Sequence, residues 1–361
     1  MLKVDDPTAL VRRLSQLAAS YDSRRDTNAV RFTLASPSRD WKWEWSSKGS
    51  AAQYFIASTT KLYVTTLIMQ LRSEARLDLD APVATYLNPA IMSGIHVLKG
   101  TDSSSRITVA ELLSHTSGIA DYFEQRRRDG STQIGDALRE DFGWTFEDVL
   151  RVTKEQLSPR FPPSTPGKAF YSDTNFQLLG AVIEAITGGT YEEALQERIL
   201  GPLALGDTYP FTQVTIDRYD SVAAMLYGTD PVVIPQAMAS VRSDGGIVST
   251  GLDGVTFLQA FMTGGLFPAE YLAEMQRTWN PVFPPLEYGV GLMRFALPRY
   301  YTLFREVPPM IGHSGASGAV LYYIPALDLY VSGTVNQIKK RSLSYNLMTR
   351  LVMECAHAWR T

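Results

Sequence analysis

One stretch constrains this chain of 361 residues more than any other: Phe55-Ile56-Ala57-Ser58-Thr59-Thr60-Lys61-Leu62-Tyr63-Val64-Thr65-Thr66-Leu67-Ile68. A helix that starts at or just before Ser58 sets Ser58 and Lys61 one above the other on a single face, where the amine reaches the hydroxyl. A serine hydroxyl is a weak nucleophile at its own pKa, and an adjacent amine that is neutral part of the time can take its proton. The helix N-terminus adds partial positive charge and free N–H groups where an oxyanion would form. Taken alone, the pattern reads more simply as a helix N-cap followed by a solvated lysine.

Two further groups follow in order and change that balance. Tyr171-Ser172-Asp173 comes after a Pro166-Gly167 turn, and His313-Ser314-Gly315 lies in a strand-like stretch near the C-terminus. Between them stand Arg76-Leu77-Asp78-Leu79-Asp80-Ala81-Pro82-Val83, Leu112-Leu113-Ser114-His115-Thr116-Ser117-Gly118-Ile119 and Asp244-Gly245-Gly246-Ile247-Val248-Ser249-Thr250. From about Ser58 to Asn336 the chain resembles the serine β-lactamase and penicillin-binding-protein superfamily, with its S-x-x-K, S-D-N and K-T-G motifs. The second motif has the Y-x-N form of the class C branch, altered here to Y-x-D.

The resemblance implies an α+β fold. An antiparallel sheet is built from N- and C-terminal segments and flanked by helices, with a mostly helical region inserted and the site in the cleft between. The expected division is a sheet lobe over about 1–65 and 240–361, with a helical lobe over about 66–239. It also implies roles: Ser58 as nucleophile, Lys61 as its proton partner, Tyr171 as a second general base and acid, and the N–H groups of Ser58 and Ala316 as the oxyanion hole. Asp173, His313, Ser314 and Gly315 are the implied substrate-binding residues.

The departures from the family pattern carry their own expectations. A phenol shuttles protons only if a nearby cation lowers its pKa, and Lys61 is the candidate cation for Tyr171. Asp173, in place of asparagine, holds Lys61 charged more strongly than an amide does, and removes an amide donor that Asn175 could replace if it does not simply face its helix. His313 stands where many relatives carry lysine, so a mostly neutral side chain is expected at a substrate carboxylate. If another cation recognises such an anion, Arg242 and Arg294 are candidates. Gly315 lets a substrate lie against its strand. His115 reads as a helix C-terminal residue rather than a general base. Tyr122, Phe123, Trp144 and Tyr227 are either an acyl-pocket wall or core.

Periodicity fills in the rest. A first amphipathic helix carries Leu10, Leu14, Leu17 and Tyr21; Ala29 to Ala35 and Trp41 to Ser46 read as a hairpin. Helices are predicted over Val109 to Ser114, Thr145 to Val152, Thr174 to Ile186 and Tyr191 to Ile199. Strands are predicted over Gly289 to Phe295, Gly318 to Ile324 and Leu329 to Val335, then a last helix from Ser342 to Trp359.

Composition sets bounds. A net charge of -3 and a pI near 5.9 offer no basic footprint for nucleic acid, and Arg126-Arg127-Arg128, flanked by Glu124 and Asp129, reads as a solvated helix face. The lone Cys355 and four scattered histidines imply neither disulfide, metal nor cofactor. The first residues lack the apolar run of a signal peptide and no later stretch reaches membrane-spanning length, so a cytoplasmic protein is expected unless a leader was removed. The sequence leaves the oligomeric state open. The reaction expected first is hydrolysis of a small-molecule carboxylic ester through a Ser58 acyl-enzyme. Alternatives are a D-amino-acid-specific peptidase or amidase, an acyltransferase, a β-lactamase, and a sensor that acylates without turnover.

Overall fold

A computed structural model describes residues 7–298 and 307–359. Strands β1 (Arg31–Ser36) and β2 (Trp41–Ser46) form the predicted hairpin around Pro37–Arg39. Six more strands come from the C-terminal part: β3 (Asn280–Phe283), β4 (Leu286–Tyr288), β5 (Met293–Phe295), β6 (Met310–Ser314), β7 (Ala319–Ile324) and β8 (Leu329–Thr334). They make one eight-stranded antiparallel sheet in the order β3-β4-β5-β6-β7-β8-β1-β2, closed across the two ends of the chain by pairs such as Leu34 with Val331. Predicted as a single strand, Gly289 to Phe295 is instead a turn, with Gly291 at φ +74°, leading into β5.

The period-two alternation of the strands decides which helices cover which face. Phe32, Leu34, Val320, Tyr322 and Val331 point to one side and are buried under Leu10 and Leu14 of α1 (Pro7–Asp22) and residues of the C-terminal helix Ser342–Ala358. On the other side, Leu321 and Tyr330 share a core with α2 (Thr60–Ser73), α3 (Asp173–Thr187) and α4 (Gly251–Met262). The C-terminal helix is α5. Helix α4 escaped the sequence reading. Gly254 lets it lie against the sheet, because an added Cβ would sit 2.4 Å from Ser332 Oγ. Tyr63 of α2 stacks on Phe257 of α4 with centroids 3.7 Å apart.

Most of α2 is buried, and the buried hydroxyls of Thr65 and Thr66 are satisfied by the Lys61 and Leu62 carbonyls one turn back. The inserted region between sheet segments is mainly short helices. Val109–Leu113 and Phe146–Arg151 both begin with capping boxes, at Thr108 and Thr145. Helix α3 stops at Gly188, whose φ of +80° is the left-handed terminator. The stretch predicted as a helix from Tyr191 to Ile199 is α-helical only to Leu195, then continues as a π-helical turn over Gln196–Leu200. Arg126-Arg127-Arg128 belongs to a loop, not a helix face, and Arg127 pairs with Asp136 at 2.5 Å. Among the described residues no helix is long and apolar enough to cross a membrane.

Candidate active site

A small sheet delivers the nucleophile. Tyr54–Phe55 pairs with Ile247–Ser249, and the Ile56 N–H donates to the Ile247 carbonyl at 3.0 Å. The chain then turns sharply through Ala57, at φ +45°, into the 3-10 turn Ala57–Thr59 that heads α2. A left-handed alanine costs about 1–2 kcal/mol, strain that the surrounding packing must outweigh in order to present Ser58 at the helix head. The end of β6 lies against this turn. A Cβ on Gly315 would come 2.3 Å from the Ile56 carbonyl oxygen, so glycine is required there by the protein's own backbone before any substrate is considered.

Lys61 is fully buried, and its ammonium has three acceptors. Nζ donates to Ser58 Oγ at 3.2 Å, to Asp173 Oδ1 at 2.6 Å and to the Asp244 carbonyl at 2.6 Å. Burial opposes the charge, but Asp173 and Asp244 outweigh it and hold the lysine above its ordinary pKa. The resting amine is therefore a cation with every proton engaged. Asp173 is itself pushed up by burial and pulled down by Lys61. Two carboxyls absent from the sequence-based site stand beside it. Asp121 accepts from the Asp173 N–H at 2.9 Å, fixing the start of α3. Asp244 Oδ2 accepts from the Tyr122 hydroxyl at 2.8 Å and from Gln177 Nε2 at 2.9 Å, and burial, with Asp173, pushes its pKa well up. Tyr122 is accordingly core.

Tyr171 lies between Lys61, whose Nζ is 5.1 Å from the ring centroid, and a set of aromatic rings. Burial and the negative charge of Asp173 raise its pKa well above that of a free phenol, against a hydrogen bond with Ser58 that lowers it. The sequence-based expectation of a lysine-lowered phenol is corrected here: Asp173 takes up the charge of Lys61, and Tyr171 rests protonated.

His115 does occupy the C-terminal end of its helix, at φ +58°, yet its ring is buried 4.3 Å from that of Tyr171. Its Nδ1 accepts from the Ser172 N–H at 3.1 Å and from Asn175 Nδ2 at 3.2 Å, so the imidazole pins the backbone that carries Tyr171. Burial and the neighbouring Lys61 keep it neutral. Asn175, engaged with His115 and Ser117, is fully buried and does not line the cleft.

His313 is also placed differently from the expectation. The Ser314 carbonyl can only accept, at 2.8 Å from Nδ1, so Nδ1 carries the proton and Nε2 accepts from the Tyr288 hydroxyl at 2.9 Å. The ring is fully buried, off the cavity walls, and burial plus Lys61 push its pKa down to about 3. Its neighbours Ser314 and Gly315 do line the cleft, and Ser314 Oγ hydrogen-bonds the Tyr345 hydroxyl.

Two cavities meet at Ser58. The larger, about 610 Å³, is walled by Tyr171, Phe283, Leu286, Met293, Ser314, Gly315 and Tyr345. The smaller, about 60 Å³, is walled by Ile134, Ala137, Trp144, Met238, Val241 and Ile338. Ser58, Phe123, Asp173, Ala316 and Arg341 border both. Phe123 and Trp144 thus belong to a pocket wall, whereas Tyr227 does not. Arg341, at the head of α5, is the cation lining the cleft among the described residues, and it pairs with Glu124. Arg242 and Arg294 are held elsewhere, by Glu184 and Glu192 and by Glu287. Nothing in the local sequence marks Arg341, which lies 217 residues from its partner.

A serine at a helix head, a buried lysine 3.2 Å from it and a tyrosine beside both in the same cleft are the arrangement of a serine hydrolase. The chain belongs to the beta-lactamase family, whose model matches residues 49–348. It is 27% identical over 286 residues to penicillin-binding protein 4 of Amycolatopsis lactamdurans, covering 74% of this chain and 67% of that one. Other curated relatives are matched over only 32–52% of their own length. The fold is that of a D-stereospecific amidohydrolase from Streptomyces sp. (TM-score 0.72, 24% identity, 92% and 95% of the two chains). It is equally that of EstCE1, a hydrolase with promiscuous acyltransferase activity (TM-score 0.76, 18% identity, 96% and 98%).

Proposed function

We propose that this protein hydrolyses carboxylic esters through an acyl-enzyme on Ser58. The observation that carries the reading is the 3.2 Å contact between Lys61 Nζ and Ser58 Oγ, with the ammonium held charged by Asp173 and Asp244. Ser58 Oγ attacks the acyl carbon while its proton passes to the Tyr171 oxygen and the Tyr171 proton passes to the leaving oxygen. The bond from the acyl carbon to the leaving oxygen breaks and the alcohol departs. In the second half, water attacks the acyl carbon, Tyr171 relays a water proton to Ser58 Oγ, and the carboxylic acid leaves. A phenol with a raised pKa suits this relay, because it passes a proton on without storing a phenolate. Lys61 stays charged throughout and stabilises the developing negative charge, together with the N–H groups of Ser58 and Ala316 as oxyanion donors.

Neutral esters are favoured over substrates that need a cation. His313 is neutral and off the cleft wall, and Arg341 already has Glu124 as its partner. A second reading, hydrolysis of D-amino acid amides, is supported by Glu124, a carboxylate on the cleft wall that would exchange its Arg341 partner for a substrate ammonium. The test is turnover of aryl esters, D-amino acid p-nitroanilides and nitrocefin by wild type and Ser58→Ala, with intact-protein mass to detect the acyl adduct. Esters should turn over fastest, and Ser58→Ala should abolish turnover and adduct. Retention of more than a few per cent of the wild-type rate by that variant would remove Ser58 from the reaction.

A further inference from the structure

The two cavities differ in one respect that orients the substrate. Tyr171 lines the larger cleft and is absent from the wall of the smaller pocket, whereas Ser58 and Ala316 border both. In the relay the Tyr171 proton ends on the leaving oxygen, so that oxygen must lie within hydrogen-bond reach of the phenol. With the acyl carbon on Ser58 and its oxyanion at the Ser58 and Ala316 N–H groups, the leaving group occupies the cleft. The remaining substituent of the acyl carbon then points the other way, into the small pocket. The reverse orientation would put the leaving oxygen in the small pocket, beyond the phenol.

The small pocket has the chemistry of an acyl site. Ile134, Ala137, Trp144, Met238, Val241 and Ile338 line it, and its charged groups are already engaged, Asp173 by Lys61, Asp244 by Tyr122 and Gln177, and Arg341 by Glu124. At about 60 Å³ it is well under the ~150 Å³ of a cavity that accepts benzene. The cleft, at about 610 Å³, is in the range of sites for drug-sized ligands.

We propose that the enzyme is selective for small, apolar acyl groups of roughly two to four carbons joined to bulky apolar alcohols, with Met238 and Ile338 setting the acyl limit. This rests on the reading of Ser58 as nucleophile and Tyr171 as relay. Each methylene beyond the limit meets side chains that must move, and a tight pocket discriminates between homologues by about tenfold or more.

Two ester series test it. Across p-nitrophenyl acetate, butyrate, hexanoate and octanoate, kcat/KM should peak at acetate or butyrate and fall at least about a hundredfold by octanoate. Across phenyl, naphthyl and biphenylyl acetates, whose leaving groups have similar acidity, it should vary less than about fivefold. Met238→Ala and Ile338→Ala should each raise the octanoate-to-acetate ratio at least about tenfold. A flat acyl profile, or rejection of biphenylyl acetate together with acceptance of octanoate, overturns the assignment of the two cavities. If either result comes with a Ser58 acyl adduct in the intact mass, the nucleophile stands and only the size rule falls. If no ester gives that adduct and Ser58→Ala retains activity, the reaction itself is misassigned and the size rule falls with it.

Discussion

Replacing Asp173 by Asn isolates what a carboxylate contributes to Lys61. The two side chains are nearly isosteric, and the amide oxygen leaves an acceptor in the place of Oδ1, 2.6 Å from Nζ, so packing barely changes while the negative charge disappears. Removing a buried partner outright costs about 3–5 kcal/mol, because an ion is left unpaired. Here the hydrogen bond survives, and crowding among Asp121, Asp173 and Asp244 is relieved. The loss is then closer to the difference between a charged and a neutral acceptor, about 1–2 kcal/mol. At 1.36 kcal/mol per unit, that lowers the Lys61 pKa by about one unit. In the wild type the lysine titrates above its unfolded value, so the stability from its charge is complete below about pH 10.4 and is lost only as pH climbs through the higher native pKa. In Asp173→Asn that loss begins at lower pH. Denaturant unfolding at neutral and alkaline pH measures the stability change, and kcat/KM for phenyl acetate against pH measures the titration. The alkaline fall in activity should move down by about one unit. An unmoved limb with a stability change under about 0.5 kcal/mol would show that Asp173 does not hold the lysine charge. Activity that rises through the same limb would mean that neutral Lys61 is the base, and would refute the relay through Tyr171.

Tyr171→Phe should lower kcat by about two to four orders of magnitude, and combining it with Lys61→Ala should cost far less than the sum of the two losses; logarithmic additivity would separate them. His313, with a native pKa near 3 against about 6.5 unfolded, favours folding fully above about pH 6.5, and that contribution, up to about 4–5 kcal/mol, is lost as pH falls through 3. His313→Gln should flatten the acid side of the stability profile, and wild-type ester turnover should show no histidine step between pH 5.5 and 8.5. Glu124→Gln should release Arg341 and improve kcat/KM for carboxylated esters several-fold while neutral esters hold; equal response of both would remove Arg341 from recognition.

Much of this architecture is local and therefore readable along the chain. The hairpin of β1 and β2, the burial pattern of α1, the stop of α3 at Gly188 and the approach of Lys61 to Ser58 all depend on residues within a few positions of each other. Resemblance then supplied Tyr171, Asp173, Ser314 and Gly315, and the structure brings these to one cleft. What the sequence could not carry is direction and long-range pairing. His313 turns from the cleft to Tyr288 because its position in β6, opposite Leu321, assigns its side chain to the buried face. The charge state of Tyr171 follows from its burial and from the Asp173 carboxylate beside it, which only packing of α2 against α3 arranges. The Asp244 carbonyl reaches Lys61 across 183 residues, and Arg341 reaches Glu124 across 217. Helix and turn propensities act over single turns of chain, whereas these contacts exist only where separately formed elements dock; no local pattern of residues encodes them.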